Sequence, residues 1–388
     1  MLQSKIKHIE LRHQLHRIAE LSGQEAKTSA FIKEQLKELS PGIIIEKLGG
    51  YGLAAVFDTG KKGPVVCFRA ELDALPIHEI NKFEYRSKSP SVSHKCGHDG
   101  HLTILLGIGE WVKDNLNKLS GKIILLFQPA EETAQGALAV LADKRFTDLK
   151  PDYMFSLHNL PDFPLGSVII REHVFASASR GLKIRLIGKT SHAGHPENGL
   201  NPLTAMMSIL EVLNNLPNIV TGLDESVLIT IIHVRLGEEA FGTSPGEGEI
   251  MATFRSNNDE TLDKLAKETK RRVIAIAKAF GLKERLTWVE KFAATVNNEE
   301  AYAIVKQAVA KMKIETIQPL SPFPWSEDFS FFSQNYKSAF FGLGSGELHP
   351  QLHNPDYDFP DALIETGIEL FANIVKETSK FYVTNKLD

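Results

Sequence analysis

KIILLFQPAEET, residues 122–133, decides the fold class of this chain. The apolar run from Ile123 to Phe127 is too short for a helix of its own and predicts a strand covered on both faces. Similar runs surround it: GIIIEKL from 42, LAAVFDT from 53, PVVCFRA from 64 and YMFSLHN at 153–159. Helical spacing separates the later ones, with helices expected over about 101–116 and 135–144. Apolar strands alternating with helices specify an α/β fold whose sheet carries much parallel pairing. Ahead of the strands, Leu11, Leu15 and Ile18 share one helical face, and Ser22-Gly-Gln-Glu25 has the form of a capping box opening a second helix.

Between about 181 and 291 the rhythm changes to strand GLKIRLI, helix LNPLTAMMSILEVLNNL, strands VLITIIHVRL and EIMATFRS, helix DETLDKLAKETKRRVIAIAKAF and strand RLTWVEKF. This β-α-β-β-α-β order is the split pattern of a compact α+β, ferredoxin-like unit. The α/β pattern resumes after about 297, so the unit is read as an insertion, with linkers near 176–180 and 291–297. The expected organisation is a discontinuous metal-binding domain over 1–178 and 294–388 and an inserted domain over 179–293.

A chain of 388 residues exceeds one typical hydrophobic core, in keeping with two domains. Its net charge of −4 supplies no field for nucleic acid or an anionic bilayer, and neither partner is expected. The opening MLQSKIKHIELRHQL lacks the continuous apolar segment of a signal peptide, and no run reaches the roughly 18 apolar residues of a membrane span. Cys67 and Cys96 offer no disulfide framework, and Cys67, in PVVCFRA, reads as a small buried hydrophobe. A reducing cytoplasm is the expected location.

Polar chemistry concentrates in SHKCGHDGH, residues 93–101, ahead of the apolar helix. Imidazoles and a thiol so close together, with Gly97 and Gly100 allowing tight turns, suit zinc; imidazole also suits manganese or iron. The plain alternative is a polar loop capping a helix, with Asp99 near its N-terminus. Glu131 and Glu132 follow the buried strand, where open α/β sheets place ligands. One can bind metal while its neighbour takes a proton from water, the division of labour that hydrolysis needs. By itself the pair could also open an acidic helix after Pro129. His158, read as ending its strand, and His353, read as preceding the last helix, have similar placement, yet each alone is an ordinary histidine. GKTSHAGHPENGLNP, residues 188–202, carries His192 and His195 in a turn-rich segment, and a histidine there could donate to a developing oxyanion.

These motifs, together with LRHQLHRIAELSGQEAKTSAFI, FRAELDALPI, FQPAEE, SLHNLP, SEDFSFF and LHNPDYDFPD in order along nearly the whole chain, resemble the M20 metallopeptidase family. The similarity is to its amidohydrolase branch, which includes hippurate and auxin-conjugate hydrolases. The resemblance implies a mixed-sheet, zinc-peptidase-like catalytic domain and a lid domain that mediates dimerisation. It implies two divalent metals (zinc or manganese, with cobalt or nickel as alternatives) bound by Cys96, His98, Glu132, His158 and His353. Glu131 becomes the general base, His192 the oxyanion donor, and Asp73 the carboxylate orienting a liganding histidine. Arg255, in EIMATFRS, is a candidate for a substrate carboxylate, and His195 is a separate candidate for substrate binding. The implied reaction is hydrolysis of N-acyl amino acids or related small amides. A dipeptidase or carboxypeptidase with the same metals is the nearest rival, a non-catalytic binding protein on the same fold a further one, and a cysteine hydrolase using Cys96 the remotest. Two positions depart from the family pattern: Glu71 stands where Asp is usual, and Gly242 of GTSPGEGEI stands at the usual Asn. Both fall outside the implied metal ligands, which points to a divergent substrate.

Overall fold

The computed structural model describes residues 2–223 and 225–384 and divides into two compact units. The larger runs up to Phe175, takes in Thr295–Ser321 and resumes from Glu327; the smaller comprises Ala176–Ala294 with Pro322–Ser326.

An eight-stranded sheet forms the larger unit, in the order Ile43–Leu48, Gly52–Asp58, Lys122–Gln128, Val65–Glu71, Tyr153–Pro161, Lys337–Gly346, Val168–Ile169, Thr316–Ile317. Its four central strands run parallel to one another, and antiparallel pairs join them to Gly52–Asp58 on one side and Val168–Ile169 on the other. The sheet is therefore mixed, and the run from Ile123 to Phe127 is buried throughout. Helix His98–Asn115 packs on strand Val65–Glu71 and against helix Leu363–Thr384. The two helices approach closely at Gly107, where an added Cβ would stand 2.2 Å from Ile368 Cδ1. Among the described residues no helix is long and apolar enough to cross a membrane.

Several local readings change. The helix begins at His98, three residues before its expected start, so His98 and His101 share a face of its first turn. Its polar opening residues find partners on distant segments, His98 Nδ1 on Asp73 and Asp99 Oδ2 on Arg12 and His16, which is why they read as loop. Ser22 caps nothing: its hydroxyl donates to Asp73 Oδ2 at 2.7 Å, and the second helix starts at Ala26. The cap is Glu20, whose Oε2 accepts from the N–H groups of Lys27 (2.8 Å) and Thr28 (2.9 Å). Glu131 and Glu132 lie in a turn past the strand end, and the next helix opens only at Gly136. His158 is inside strand Tyr153–Pro161 rather than at its end. His353 lies in an irregular segment well before the last helix, which opens at Leu363.

The smaller unit is a four-stranded antiparallel sheet in the order Val227–Leu236, Glu247–Ser256, Ala178–Ile187, Lys283–Phe292, with helices Leu203–Val220 and Asp259–Ala279. Numbered within the unit this order is 2-3-1-4, the ferredoxin-like arrangement. Ile250, Ala252 and Phe254 alternate inward on one strand, and Leu213, Leu216, Leu262, Leu265 and Val273 supply the helical side of the core. Val227–Leu236 is an edge strand with Leu228, Ile232 and Val234 exposed. Strands run into both expected linkers: Ala176 ends one strand and Ala178 begins the next, while Phe292 and Thr295 bracket the return. Residues 322–326, expected in the metal-binding domain, group with the smaller unit. There Arg255 Nη1 donates to Pro324 O (2.9 Å) and Ser326 Oγ (3.2 Å).

Candidate metal centre

Four chain segments of the larger unit, around Cys96–His98, Glu131–Glu132, His158 and His353, deliver a convergent set of donor atoms. Gly97 holds a left-handed φ of 91° at the helix N-cap and turns the chain sharply between Cys96 and His98. His98 Nδ1 donates to Asp73 O at 2.8 Å, with Asp73 Oδ1 at 3.7 Å, so the ring is held chiefly by the backbone carbonyl rather than by the expected carboxylate. This leaves Nε2 as the free lone pair, fully buried, without a hydrogen-bond partner and 3.9 Å from Glu132 Oε1. Asp73 Oδ2 accepts from Glu132 N at 3.0 Å and so fixes the acid turn itself. Glu132 Oε1 is likewise buried without a hydrogen-bond partner.

His158 Nδ1 faces Asn159 O at 2.8 Å, which directs Nε2 toward Cys96 Sγ, 3.3 Å away. His353, at a left-handed φ of 67°, donates its backbone N–H to Lys95 O (2.8 Å) and brings Nε2 to 3.8 Å from Glu132 Oε1. Donors of Cys96, His98 and His158 lie within 4.8 Å of one another, as do those of Cys96, Glu132 and His353, and those of His98, Glu131 and Glu132. Bonds of about 2.0–2.3 Å to a common cation require donors this close. Two buried donors without hydrogen-bond partners, His98 Nε2 and Glu132 Oε1, and a mixed nitrogen, sulfur and oxygen set both fit divalent metal.

Electrostatics point the same way. Burial pushes Glu131 well above the usual carboxylate range, and Glu327, Glu132, Asp328 and Asp73 add to the shift. Glu132 rises to about 7, mainly through burial, with His98 opposing. Burial also raises the Cys96 thiol, with Glu132 and Glu131 contributing. His158 is driven well down by burial and by His101, which keeps its ring neutral. Carboxylates crowded in this way favour a proton or a cation between them.

Behind the acids lies a network that sequence reading did not assign. Arg69, fully enclosed, donates from Nη2 to Glu327 Oε1 (2.9 Å) and Asp328 Oδ1 (2.6 Å) and from Nε to Gln128 Oε1 (2.8 Å). Asp328 N–H donates to Glu131 Oε1 at 3.3 Å, tying the network to the acid turn. Its signal was present in charged letters set among the apolar residues of FRAELD and SEDFSFF. Asp99, read as a charge near a helix terminus, is instead buried between Arg12 Nη1 (3.1 Å) and His16 Nδ1 (2.8 Å) and anchors the first helix. In the smaller unit, His192 pairs with Thr243 across a short ladder, and its Nδ1 accepts from Gly194 N at 3.0 Å. His195 Nδ1 is 3.2 Å from Glu197 Oε1, and both histidines are exposed. Gly242 O accepts from Ala193 N (3.0 Å), and a Cβ there would meet open space.

Residues 67–377 match the sequence pattern of peptidase family M20/M25/M40. An N-acetyl-L-cysteine deacetylase of Bacillus subtilis is 31% identical, over 92% of this chain and 84% of its own length. Hippurate hydrolase of Campylobacter jejuni is 29% identical, over 94% of each chain. Among solved structures, the Bacillus subtilis YXEP protein, a dinuclear metal-binding peptidase from the M20 family, superposes with a TM-score of 0.82. It is 24% identical and matches 98% of this chain and 99% of that one, a likeness in fold. Family pattern, relatives and donor set agree: the chain is a metal-dependent amide hydrolase and belongs to peptidase family M20/M25/M40.

Proposed function

We propose that this enzyme hydrolyses N-acyl amino acids or closely related small amides. The observation that carries the reading is Glu131, buried and rich in proton affinity, beside the converging donors of Cys96, His98, Glu132, His158 and His353. Those five residues would hold two divalent cations, zinc or manganese first, with cobalt or nickel as further candidates. When bound, the cations supply Lewis acidity and a water acidified toward neutrality.

The chain's own residues then divide the work. Glu131 takes a proton from the attacking water and returns it to the leaving nitrogen, a role favoured by surroundings that stabilise its protonated form. Asp73 positions the His98 ring through its carbonyl and the acid turn through its carboxylate. His192 is the proposed oxyanion donor. Arg255 is proposed to meet a substrate carboxylate and His195 to contact substrate separately; one guanidinium nitrogen of Arg255 is already committed to Pro324 and Ser326. Lid-mediated dimerisation is supported by the edge strand Val227–Leu236, which among the described residues has a strand on one side only, and by its exposed Leu228, Ile232 and Val234. A cytoplasmic location is part of the same reading.

Turnover of acetyl- and benzoyl-amino acids against a matched dipeptide set, with zinc- and manganese-loaded enzyme, tests the substrate class. Preference for the dipeptides would replace this reading with a dipeptidase or carboxypeptidase. Full metal loading without turnover on any amide would favour a binding protein.

A further inference from the structure

We infer that Glu71, His101 and Asn159 form a brace that holds Cys96, His98 and His158 in register, making them positioning residues for metal binding that touch neither metal nor substrate. The inference rests on the ligand assignment proposed above.

His101 follows His98 by one helical turn and lies edge-on to His158, with ring centroids 4.8 Å apart. Both of its nitrogens are engaged: Nδ1 is 2.7 Å from Glu71 Oε2 and Nε2 is 2.6 Å from Asn159 Oδ1. Donor atoms of Glu71, His98 and His101 also fall within 4.8 Å of one another, which by distance alone would suit a further cation. The engaged ring nitrogens give His101 a different task, as a strut between two elements.

Asn159 closes the structure on its other side. Its Nδ2 donates to Tyr357 Oη at 2.5 Å, which orients the amide so that Oδ1 faces His101. Its backbone carbonyl lies 2.8 Å from His158 Nδ1 and fixes the neighbouring ring. Its side chain also lies on Gly97, where any Cβ would come within 2.2 Å of Oδ1. One amide therefore touches the turn between Cys96 and His98 while its own backbone holds His158. Glu71 anchors the far end: its Oε1 accepts from Arg69 while Oε2 reaches His101. All three brace residues are at most 2% exposed, so water cannot substitute for a lost contact. The reach of Glu71 is specific to its length. An aspartate would withdraw the carboxylate by about 1.5 Å, one C–C bond, more than two simultaneous hydrogen bonds absorb.

Glu71→Asp, His101→Gln and His101→Asn are the variants to make. Competition of a chelator for bound manganese or zinc gives metal affinity, and melting of the metal-free proteins gives the structural baseline. Glu71→Asp and His101→Gln should weaken metal retention about 10–100-fold, the range typical of residues that orient ligands. His101→Asn, whose amide nitrogen can stand near the place of Nδ1, should recover part of that loss. Metal retention equal to wild type in Glu71→Asp and His101→Gln, whether or not melting falls, would overturn the brace. Unchanged metal uptake in Cys96→Ser and Glu132→Gln would instead overturn the ligand assignment, and the brace with it.

Discussion

Replacing Gly97 with alanine should damage fold and metal site together. Gly97 has φ 91°, and holding an L-residue in the left-handed region costs about 1–2 kcal/mol. The new methyl would also lie 2.2 Å from Asn159 Oδ1, whereas non-bonded atoms prefer about 3.5–4.0 Å. Asn159 must therefore retreat by roughly 1 Å or more, stretching its 2.6 Å contact to His101 beyond hydrogen-bond range or breaking the bond to Tyr357. Leaving one buried polar group unpaired costs about 1–3 kcal/mol. The sum is about 2–5 kcal/mol, which at about 2–4 °C per kcal/mol for a large domain lowers the melting temperature by roughly 4–20 °C. Calorimetry of the metal-free protein measures the first effect, and chelator competition on the metal-loaded protein measures the second. A Gly97→Ala protein that melts within a degree of wild type and retains its cations equally well would refute the reasoning.

Glu131→Gln should lower kcat by about 10²–10⁴ while metal content stays at the wild-type level. Its melting temperature should not fall, because the amide is neutral like the protonated acid that burial, Glu327, Glu132 and Asp328 favour; a rate within tenfold of wild type would remove Glu131 from the chemistry. His16 tests the anchoring of the first helix by pH. Burial opposes its charge, but Asp99 and Glu79 overcome this and raise it to about 9. Its contribution is thus complete below the unfolded value near 6.5 and is lost as pH rises through about 9. His16→Gln should cost about 1.5–3 kcal/mol near pH 6 and progressively less by pH 10. Denaturant titrations at both pH values would show this, and a constant gap would contradict it. Removing divalent metal by chelation should lower the melting temperature, since a ligand at about 100 times its Kd contributes about 2.7 kcal/mol. Thermal melts of Glu132→Gln should respond little to added metal, and a full wild-type response would exclude Glu132 as a ligand.

The parallel core was legible because a run such as Ile123 to Phe127 has no stable place except a strand covered on both sides. The ferredoxin-like unit was legible because its periodicities switch cleanly between helix and strand. Less was readable where a residue's partner is distant in sequence. His98 and Asp99 looked like loop because Asp73, Arg12 and His16, which satisfy them, are contributed by other segments. The capping box misled because Glu20 reaches forward to Lys27 and Thr28, outside the window that local rules inspect. Arg69 and Asp328 are 259 positions apart, so neither strand nor turn alone announces a buried ion network. The proposed donors divide in the same way. Cys96, His98 and the acid pair declare themselves by density, whereas His158 and His353 gain meaning only when folding brings them to Cys96 and Glu132.

The strand order also has a consequence for synthesis of the chain. Lys337–Gly346 lies inside the large sheet, flanked by Tyr153–Pro161 and Val168–Ile169, both made far earlier. At about 5–20 residues per second, the strand Tyr153–Pro161, buried along its whole length in the finished fold, waits about 10–35 s on the ribosome for its neighbour. During that interval the nascent protein exposes a template for wrong pairing, and a chaperone has a defined segment to shield. His353 emerges later still. A growing chain therefore cannot close the full donor set around a stray cation before its last sheet strand has been made.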